Sequence, residues 1–435
     1  MSARKTILQG TLILTAVGFL CRFMGFFYRI FLSHTFGEEN VGLYQLTFPV
    51  FALCISFTSA GLETAISRTV ARKQSLHQPR EASETLCLGL FISCLLSVIT
   101  MIILQKNAAD LSTALLGDPR CEEILILLSY ALPLSSIHGC IMGYCYGLKQ
   151  TQIPAVSQLI EQTARILSVF CLYRFATRNG LHADISIAAA GIAFGELFST
   201  FYSVRRLQKS RSDIFRPGFS FSSIRLRFRE LVPLSLPLTA NRVLLGLLQG
   251  IEAVSIPGCL KLYNQALSTY GVLTGMALPC ILFPSAITNS VSIMLMPTVA
   301  EFQVKDQASG IRKLLQKVLG CCFLMGLFCC LFFLFFGQLI GQFLFASDLA
   351  GNFIITLAWI CPFLYVNGSL LSVLNGFGKT TTSFTINTVG LAIRIGSVFF
   401  AIPVFGIQGY LWGLLISQLA VSICCSVVLK HLISA

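Results

Sequence analysis

Long apolar stretches separated by short polar segments follow one another along the whole chain. Most stretches contain about 20 residues, the length at which an α-helix crosses a membrane, whereas a barrel strand shows about ten residues of alternating polarity. The pattern therefore predicts twelve membrane-spanning helices. The predicted spans are residues 7–32, 41–66, 85–104, 124–146, 153–173, 185–204, 231–254, 267–296, 318–336, 352–374, 383–402 and 406–429.

Composition strengthens this interpretation. Hydrophobic residues make up 55% of the 435 residues and charged residues 11%, with a mean hydropathy of +0.79, whereas soluble domains carry about 25% charged residues. Within lipid only helices and closed barrels satisfy their backbone polar groups. We expect an all-α polytopic membrane protein. No metal-ligand spacing, phosphate-binding loop or nucleophile motif occurs in the sequence, so we expect neither an enzyme nor a cofactor.

Lysine and arginine are distributed unevenly between alternate loops. With the N-terminus in the cytoplasm, most of them lie on the cytoplasmic side, as the positive-inside rule requires. We therefore expect a bacterial cytoplasmic membrane protein with both termini in the cytoplasm. The largest basic cluster predicts an N-lobe at 1–204, a cytoplasmic inter-lobe loop at 205–230 and a C-lobe at 231–435. The net charge of +13 reflects this topology and contact with anionic lipid headgroups, and not binding to nucleic acid.

The two halves of the chain repeat each other. Arg165 in TARILSVF and Arg394 in AIRIGSVF keep the same offset as Pro133 and Pro362. The segments GIAFGELFS and GYLWGLLIS match after one change of loop length. Six spans per half is an even number, so both repeats enter the membrane from the same side. Parallel repeats of this kind are typical of transporters that bind substrate between two lobes.

Arginines inside the predicted spans are candidates for substrate binding, because a charge at the bilayer centre costs about 2.5–3.5 kcal/mol on the insertion scale. Arg22 has no acid within four positions, which favours a role in binding an anionic ligand. Arg165 follows Glu161 by four positions, which favours an ion pair on one helix face. The substrate-cavity candidates are Arg22, Arg29, Arg242 with its neighbour Asn241, Arg165, Arg394 and Asn289.

Acidic residues within spans are candidates for ion coupling. Glu161, Glu196 and Glu63 are each able to bind a proton or Na+. Glu63 and Glu252 lie near helix ends, where solvation is the simpler explanation. His138 and Asn289 belong to a polar set that fits a sugar-binding cavity or hydrogen bonding between helices equally well.

The first seventy residues resemble a known family. GTLILTAVGFLCRFMGFFYRI, FGEENVGLYQLTFPV and SAGLETAISRTVARK are similar to the start of stage V sporulation protein B-like proteins. These are polysaccharide biosynthesis flippases of the multidrug/oligosaccharidyl-lipid/polysaccharide (MOP) exporter superfamily. The resemblance implies two lobes around a cationic cavity. It also implies movement of undecaprenyl-pyrophosphate-linked saccharides, such as cell-wall or spore precursors, without ATP hydrolysis.

Within that resemblance, Arg22 matches the R-x-x-G-F motif on the first helix of the related lipid II flippase. The next basic position of that flippase falls at Tyr28, with Arg29 one place further on. Members of this type usually have fourteen helices, whereas twelve are predicted here. Twelve is the number found in multidrug and toxin extrusion antiporters.

Three hypotheses follow. The first is a flippase for lipid-linked saccharides, in which Arg22 and Arg242 face one cavity. The second is a cation-coupled drug antiporter, in which Glu161 or Glu196 is unpartnered. The third is a membrane scaffold that transports nothing. The sequence fixes neither the coupling ion nor the oligomeric state.

Overall fold

The computed structural model is helical in every element that it describes, and no strand occurs among those residues. The fold class predicted from the apolar stretches is therefore confirmed. The side chains of residues 3–11, 210, 221–224, 308–313 and 433–434 are not described. The structure describes residues 3–210, 221–261, 263, 265–289, 291–292, 295, 299 and 308–434.

The helices that carry the argument are numbered here in chain order. They are α1 (Ala3–Ile55), α2 (Gly61–Ser75), α3 (Pro79–Lys106), α4 (Cys121–Ser129), α5 (Ala131–Gly147), α6 (Gln152–Arg178), α7 (Ser186–Ser210), α8 (Phe221–Leu260), α9 (Ala266–Gly271), α10 (Leu278–Leu282), α11 (Ala308–Phe345), α12 (Asp348–Ala358), α13 (Cys361–Gly376), α14 (Thr380–Phe400) and α15 (Ile407–Ser434). Three π-helical segments lie at Ser56–Ala60, Leu111–Leu115 and Val272–Ala277.

The first two predicted spans lie on one nearly continuous helical path. Helix α1 has a single non-helical residue, Gly37, with φ 79° and ψ 170°. Glycine adopts this positive φ without a steric penalty, so the kink falls at the polar segment between the predicted spans. The path then continues through the π-helical segment Ser56–Ala60 into α2.

Length and composition identify seven described helices that are able to cross a membrane, or nine if each of two bent pairs counts as one span. The 64-residue path Leu12–Ser75 is one of the seven and covers two predicted spans. The predicted span 267–296 falls on the shorter apolar helix Ala266–Leu282 and partly outside the described residues. The predicted span 153–173 falls on α6, whose 27 residues include the charged Glu161 and Arg165. Every predicted span thus has a helical counterpart.

Both bent pairs break just before a proline. Helices α4 and α5 meet at 41°, and α12 and α13 meet at 57°. Helix α4 ends at Ser129 and α12 ends at Ala358, four residues before Pro133 and Pro362. Proline lacks the N–H that would bond to those carbonyl groups, so the helical ladder is interrupted at the same place in each repeat.

The chain divides into two compact units, which we call unit 1 and unit 2. Unit 1 comprises Met1–Gly25 and Leu46–Gly250, and unit 2 comprises Phe26–Gln45 and Ile251–Ala435. Helices α7 and α8 extend into the two ends of the predicted inter-lobe loop, and its residues 211–220 lie outside the described residues. The lobe boundaries at 204 and 231 stay a prediction.

Not every basic residue of the predicted loop is available to lipid headgroups. Arg227 is only 5% exposed and contacts Glu81 at 2.8 Å and Glu230 at 2.6 Å. Lys73 contacts the same two carboxylates at 2.8 and 3.1 Å. This network joins α2, α3 and α8 within unit 1. Arg225, in contrast, is exposed.

Candidate functional site

A compact group of ionisable side chains in the described part of unit 1 lies between α5, α6 and α7. His138, Glu161 and Glu196 each direct one ligand atom into a space where these atoms lie within 4.8 Å of one another. His138 is 9% exposed and Glu196 is 8% exposed, whereas Glu161 is partly exposed. The three side chains come from three different helices, so the fold brings them together.

Close helix packing sets this geometry. A Cβ atom added to Gly143 on α5 would lie 2.4 Å from the carbonyl oxygen of Glu63 on α2. A Cβ atom added to Gly195 on α7 would lie 2.9 Å from the carbonyl oxygen of Glu161 on α6. Small residues at such contacts let helix backbones approach closely in a membrane. The polar side chains next to these glycines are therefore held close to one another.

His138 uses both ring nitrogens. Its Nδ1 atom lies 3.2 Å from Oε2 of Glu196, and its Nε2 atom lies 2.7 Å from Oγ of Ser157. Ser157 lies 2.9 Å from Oγ of Ser203, and Ser203 donates to the carbonyl oxygen of Ser199 at 2.8 Å. All three serines are fully buried. A continuous hydrogen-bonded chain therefore links α5, α6 and α7.

Glu161 and Arg165 form an ion pair on α6, in the i,i+4 arrangement that the sequence favours. Both side chains are about one-fifth exposed, at 21% and 22%. Cys21 of α1 donates to the carbonyl oxygen of Gln158 at 3.6 Å, one turn before this pair. Helix α1 therefore packs against α6 beside the cluster.

The predicted basic candidates on α1 fall in different units. Arg22 belongs to unit 1, directly after Cys21, and is exposed. It forms no hydrogen bond or ion pair with a residue that the structure describes. Arg29 belongs to unit 2, is half-buried and interacts with neighbouring groups.

Arg242 and Asn241 on α8 are both exposed and belong to unit 1. Arg242 donates from Nη2 to Oγ1 of Thr64 at 3.2 Å and interacts electrostatically with the neighbouring Glu63. Glu63 is half-buried and packs beside Gly139 on α5. The solvation expected for Glu63 at a helix end stays a prediction.

Unit 2 contains an ion pair whose carboxylate is buried. Arg394 Nη2 lies 3.1 Å from Oε2 of Glu252, and the Tyr410 hydroxyl donates to Oε1 of Glu252 at 2.7 Å. Glu252 is only 6% exposed, so the expectation that solvent surrounds it is wrong. Asn289 is half-buried, with its Oδ1 atom 3.2 Å from the Cβ position of Gly368.

Sequence reasoning did not identify His138 and the three serines as one chain. Glu196, Ser199 and Ser203 share a helix face by their i,i+3 and i,i+4 spacing, and that spacing was the available signal. The partners on α5 and α6 are distant in sequence, so periodicity alone does not connect them.

Known proteins share this architecture. Residues 7–303 match the family described as polysaccharide biosynthesis protein. The chain is similar to stage V sporulation protein B of Bacillus subtilis (strain 168), with 28% identity over 419 residues that cover 94% of this chain and 80% of the relative.

Two solved structures have the same fold. One is an inward-facing multidrug resistance MATE family transporter of the MOP superfamily, with a TM-score of 0.77 and 14% identity over 99% of this chain and 98% of that one. The other is lipid II flippase MurJ in an inward closed conformation, with a TM-score of 0.75 and 13% identity. The match covers 96% of this chain and 87% of that one.

The apolar helices and the family match together define a multi-pass membrane protein that shares its fold with these two solved structures. The chain belongs to the polysaccharide biosynthesis protein family, whose match covers well over half of its length.

Proposed function

We propose that the protein is an alternating-access flippase that moves a lipid-linked saccharide across the bacterial cytoplasmic membrane. The proposed substrate is an undecaprenyl-pyrophosphate-linked oligosaccharide or a cell-wall precursor. Both termini lie in the cytoplasm, and exposed arginines such as Arg225 contact anionic headgroups. The protein itself catalyses no covalent step.

The observation that supports this proposal is the state of Arg22. It is exposed on a helix long and apolar enough to cross the membrane, and no described carboxylate neutralises it. A charge in such a position needs water, a counter-charge or a ligand. The planar guanidinium binds two oxygens of a phosphate at once, so a pyrophosphate suits Arg22 well.

The antiporter hypothesis predicted an unpartnered glutamate in the membrane. Glu161 pairs with Arg165, and Glu196 pairs with His138. Neither acid meets that expectation, so we rank the antiporter second. Glu161, Glu196 and Glu63 remain our candidates for ion coupling, with Na+ or a proton as the driving ion.

The test is translocation of an undecaprenyl-pyrophosphate-linked saccharide in proteoliposomes. Charge-assisted hydrogen bonds contribute about 1.5–3 kcal/mol, so we expect Arg22→Ala to lower the rate about ten- to a hundredfold. Arg22→Lys keeps the positive charge but lacks the planar guanidinium, so its transport rate should lie between those of wild type and Arg22→Ala. Arg178→Ala is the matched control, because this arginine is exposed at the last turn of α6.

The outcomes separate the three hypotheses. Movement that depends on Arg22 and not on Arg178 supports the flippase. Export of a cationic dye against a proton or Na+ gradient, without movement of the lipid, supports the antiporter. If the folded protein shows neither activity, the result supports the scaffold hypothesis.

A further inference from the structure

The hydrogen bonds around His138 have two complete arrangements that differ by one proton. Glu196 is an acceptor when ionised, so the Nδ1 atom of His138 must donate to it. What remains open is the Nε2 atom, which lies 2.7 Å from Oγ of Ser157. If Nε2 also carries a hydrogen, the ring is an imidazolium; if it accepts, the ring is neutral.

The serine chain favours the imidazolium arrangement. Ser203 donates its hydroxyl hydrogen to the carbonyl of Ser199, so its oxygen is free to accept from Ser157 at 2.9 Å. Ser157 has one hydrogen. When that hydrogen points to Ser203, or to the Ser199 carbonyl at 3.4 Å, the contact with His138 requires a hydrogen on Nε2.

A neutral His138 ring reverses the donor direction of the hydrogen bonds along the serine chain. Ser157 must then turn its hydroxyl towards Nε2, and Ser203 must turn its own towards Ser157 and away from Ser199. Gain or loss of one proton therefore changes the donor direction of bonds that join α5, α6 and α7.

The surrounding charges balance when that proton is present. On α6, Glu161 and Arg165 already neutralise each other. On α2, Glu63 interacts with Arg242 of α8 more strongly than with His138. Glu196 on α7 has only His138 within ion-pair distance among the described residues. A buried carboxylate without a counter-charge is costly, so a proton on His138 stabilises the group.

The donor set suits a proton better than an alkali cation. Hard cations prefer oxygen ligands, and imidazole is a ligand of softer transition metals. The Glu161 carboxylate is engaged with Arg165, and the Glu196 carboxylate with His138. Few free oxygens remain for Na+.

We infer that His138 and Glu196 form a proton-binding site, and that the Ser157–Ser203 chain transmits its protonation state between α5, α6 and α7. The proton is then the coupling ion of transport, a step that rests on the function proposed above. Protonation joins α5 to α7 by a charge-assisted bond, and deprotonation weakens that link while the serines reverse. A change in helix packing follows from a change in one proton.

The first test observes the proton directly. The chain has five histidines, so the full-length protein labelled with 15N-histidine in lipid nanodiscs gives a spectrum simple enough to titrate. His138→Gln assigns the signal, and His182→Gln, at an exposed histidine, is the matched control. We expect both nitrogens of His138 to be protonated at mildly acidic pH.

Two variants distinguish proton binding from a structural role. Glu196→Gln removes the counter-charge, so the imidazolium signal should be lost at the same pH. Ser157→Ala removes the acceptor for Nε2–H, so the signal should move towards the neutral ring protonated on Nδ1. A His138 signal that stays neutral throughout the titration, or that responds to added Na+ at fixed pH, overturns the inference.

Transport then separates this inference from the function on which it rests. The expected result is lipid movement that follows an imposed pH gradient in wild type and loses that dependence in His138→Gln. If the NMR titration is as expected and no lipid moves, the proton site stands and the flippase proposal fails. If lipid movement depends on Arg22 but on neither pH nor His138, the flippase proposal stands and the coupling role of His138 fails.

Discussion

At the residue scale, an arginine position shared by the two repeats pairs with an acid in a different way in each. Arg165 and Arg394 are equivalent by sequence offset. The first pairs with Glu161 on its own helix, whereas the second pairs with Glu252 on α8. Both repeats have an arginine at this position, and the acid that pairs with it comes from a different place in each unit.

The Glu252–Arg394 pair allows a direct prediction about stability. Arg394→Ala leaves Glu252 buried, with the Tyr410 hydroxyl as its only partner among the residues that the structure describes. Breaking a buried ion pair from one side costs about 3–5 kcal/mol, so we expect a clear loss of thermal stability in detergent. Arg178→Ala, at an exposed site, should leave the unfolding temperature unchanged.

The double variant Glu252→Gln/Arg394→Met checks the cause. It removes both charges and keeps side chains of similar length, so most of the lost stability should return. If the double variant is as unstable as Arg394→Ala, the loss comes from packing of the arginine side chain and not from the orphaned carboxylate.

The partner of Arg394 could not have been predicted from sequence. An i,i+4 acid is visible by spacing, as for Arg165, but Glu252 lies on a different helix and meets Arg394 only in the folded structure. The same limit applies to His138, whose partners Glu196 and Ser157 lie on two other helices. Apolar periodicity reports which residues enter the membrane and carries no information about which polar groups meet there.

At the element scale, sequence was more informative. Apolar stretches gave the helices, and the equivalent prolines Pro133 and Pro362 mark where two spans bend. The helices extend well beyond some predicted spans, because polar turns continue the helix past the apolar stretch. Helix α11 begins at Ala308 and ends at Phe345, whereas the predicted span covers 318–336.

Close packing between α2 and α5 gives a prediction at this scale. In Gly143→Ala the new methyl group would lie 2.4 Å from the carbonyl oxygen of Glu63, so the helices must move apart. Overpacking costs about 1–3 kcal/mol, and we expect a lower unfolding temperature together with slower transport, since His138 lies on α5. Thermal unfolding and proteoliposome transport measure the two effects.

A matched glycine provides the control. Gly396 on α14 has no atom of the described residues within 4 Å of its Cβ position, so we expect no clash in Gly396→Ala. Alanine loses less conformational entropy than glycine when a helix forms, which favours the helix by about 0.5–1 kcal/mol. The stability of Gly396→Ala should therefore be unchanged or slightly higher. Equal losses in both variants would contradict the packing explanation.

At the scale of the whole molecule, the two repeats share a fold and differ in chemistry. Each has a proline-bent helix pair and an arginine–glutamate ion pair. Among the described residues, only unit 1 brings a histidine and two glutamates within ligand distance of one another. Duplication therefore accounts for the architecture, and the proposed proton site is a specialisation of one repeat.

The parallel repeat makes the orientation testable. Six predicted spans per half would bring the chain back to its starting side after each repeat, and the distribution of lysine and arginine predicts that this side is the cytoplasm. We expect green fluorescent protein fused after Gly378 or at the C-terminus to fluoresce, because it folds in the cytoplasm. Alkaline phosphatase fused after Gly117, between α3 and α4, should be active outside.

Reciprocal fusions provide the control at each site, since a position that activates one reporter should silence the other. The decisive comparison is between the two termini. Reporters at opposite faces would require an odd number of spans, which is incompatible with two parallel six-helix repeats. Termini on the cytoplasmic face with an outward loop at Gly117 require an odd number of spans before that loop and an odd number after it, as the twelve-span arrangement predicts.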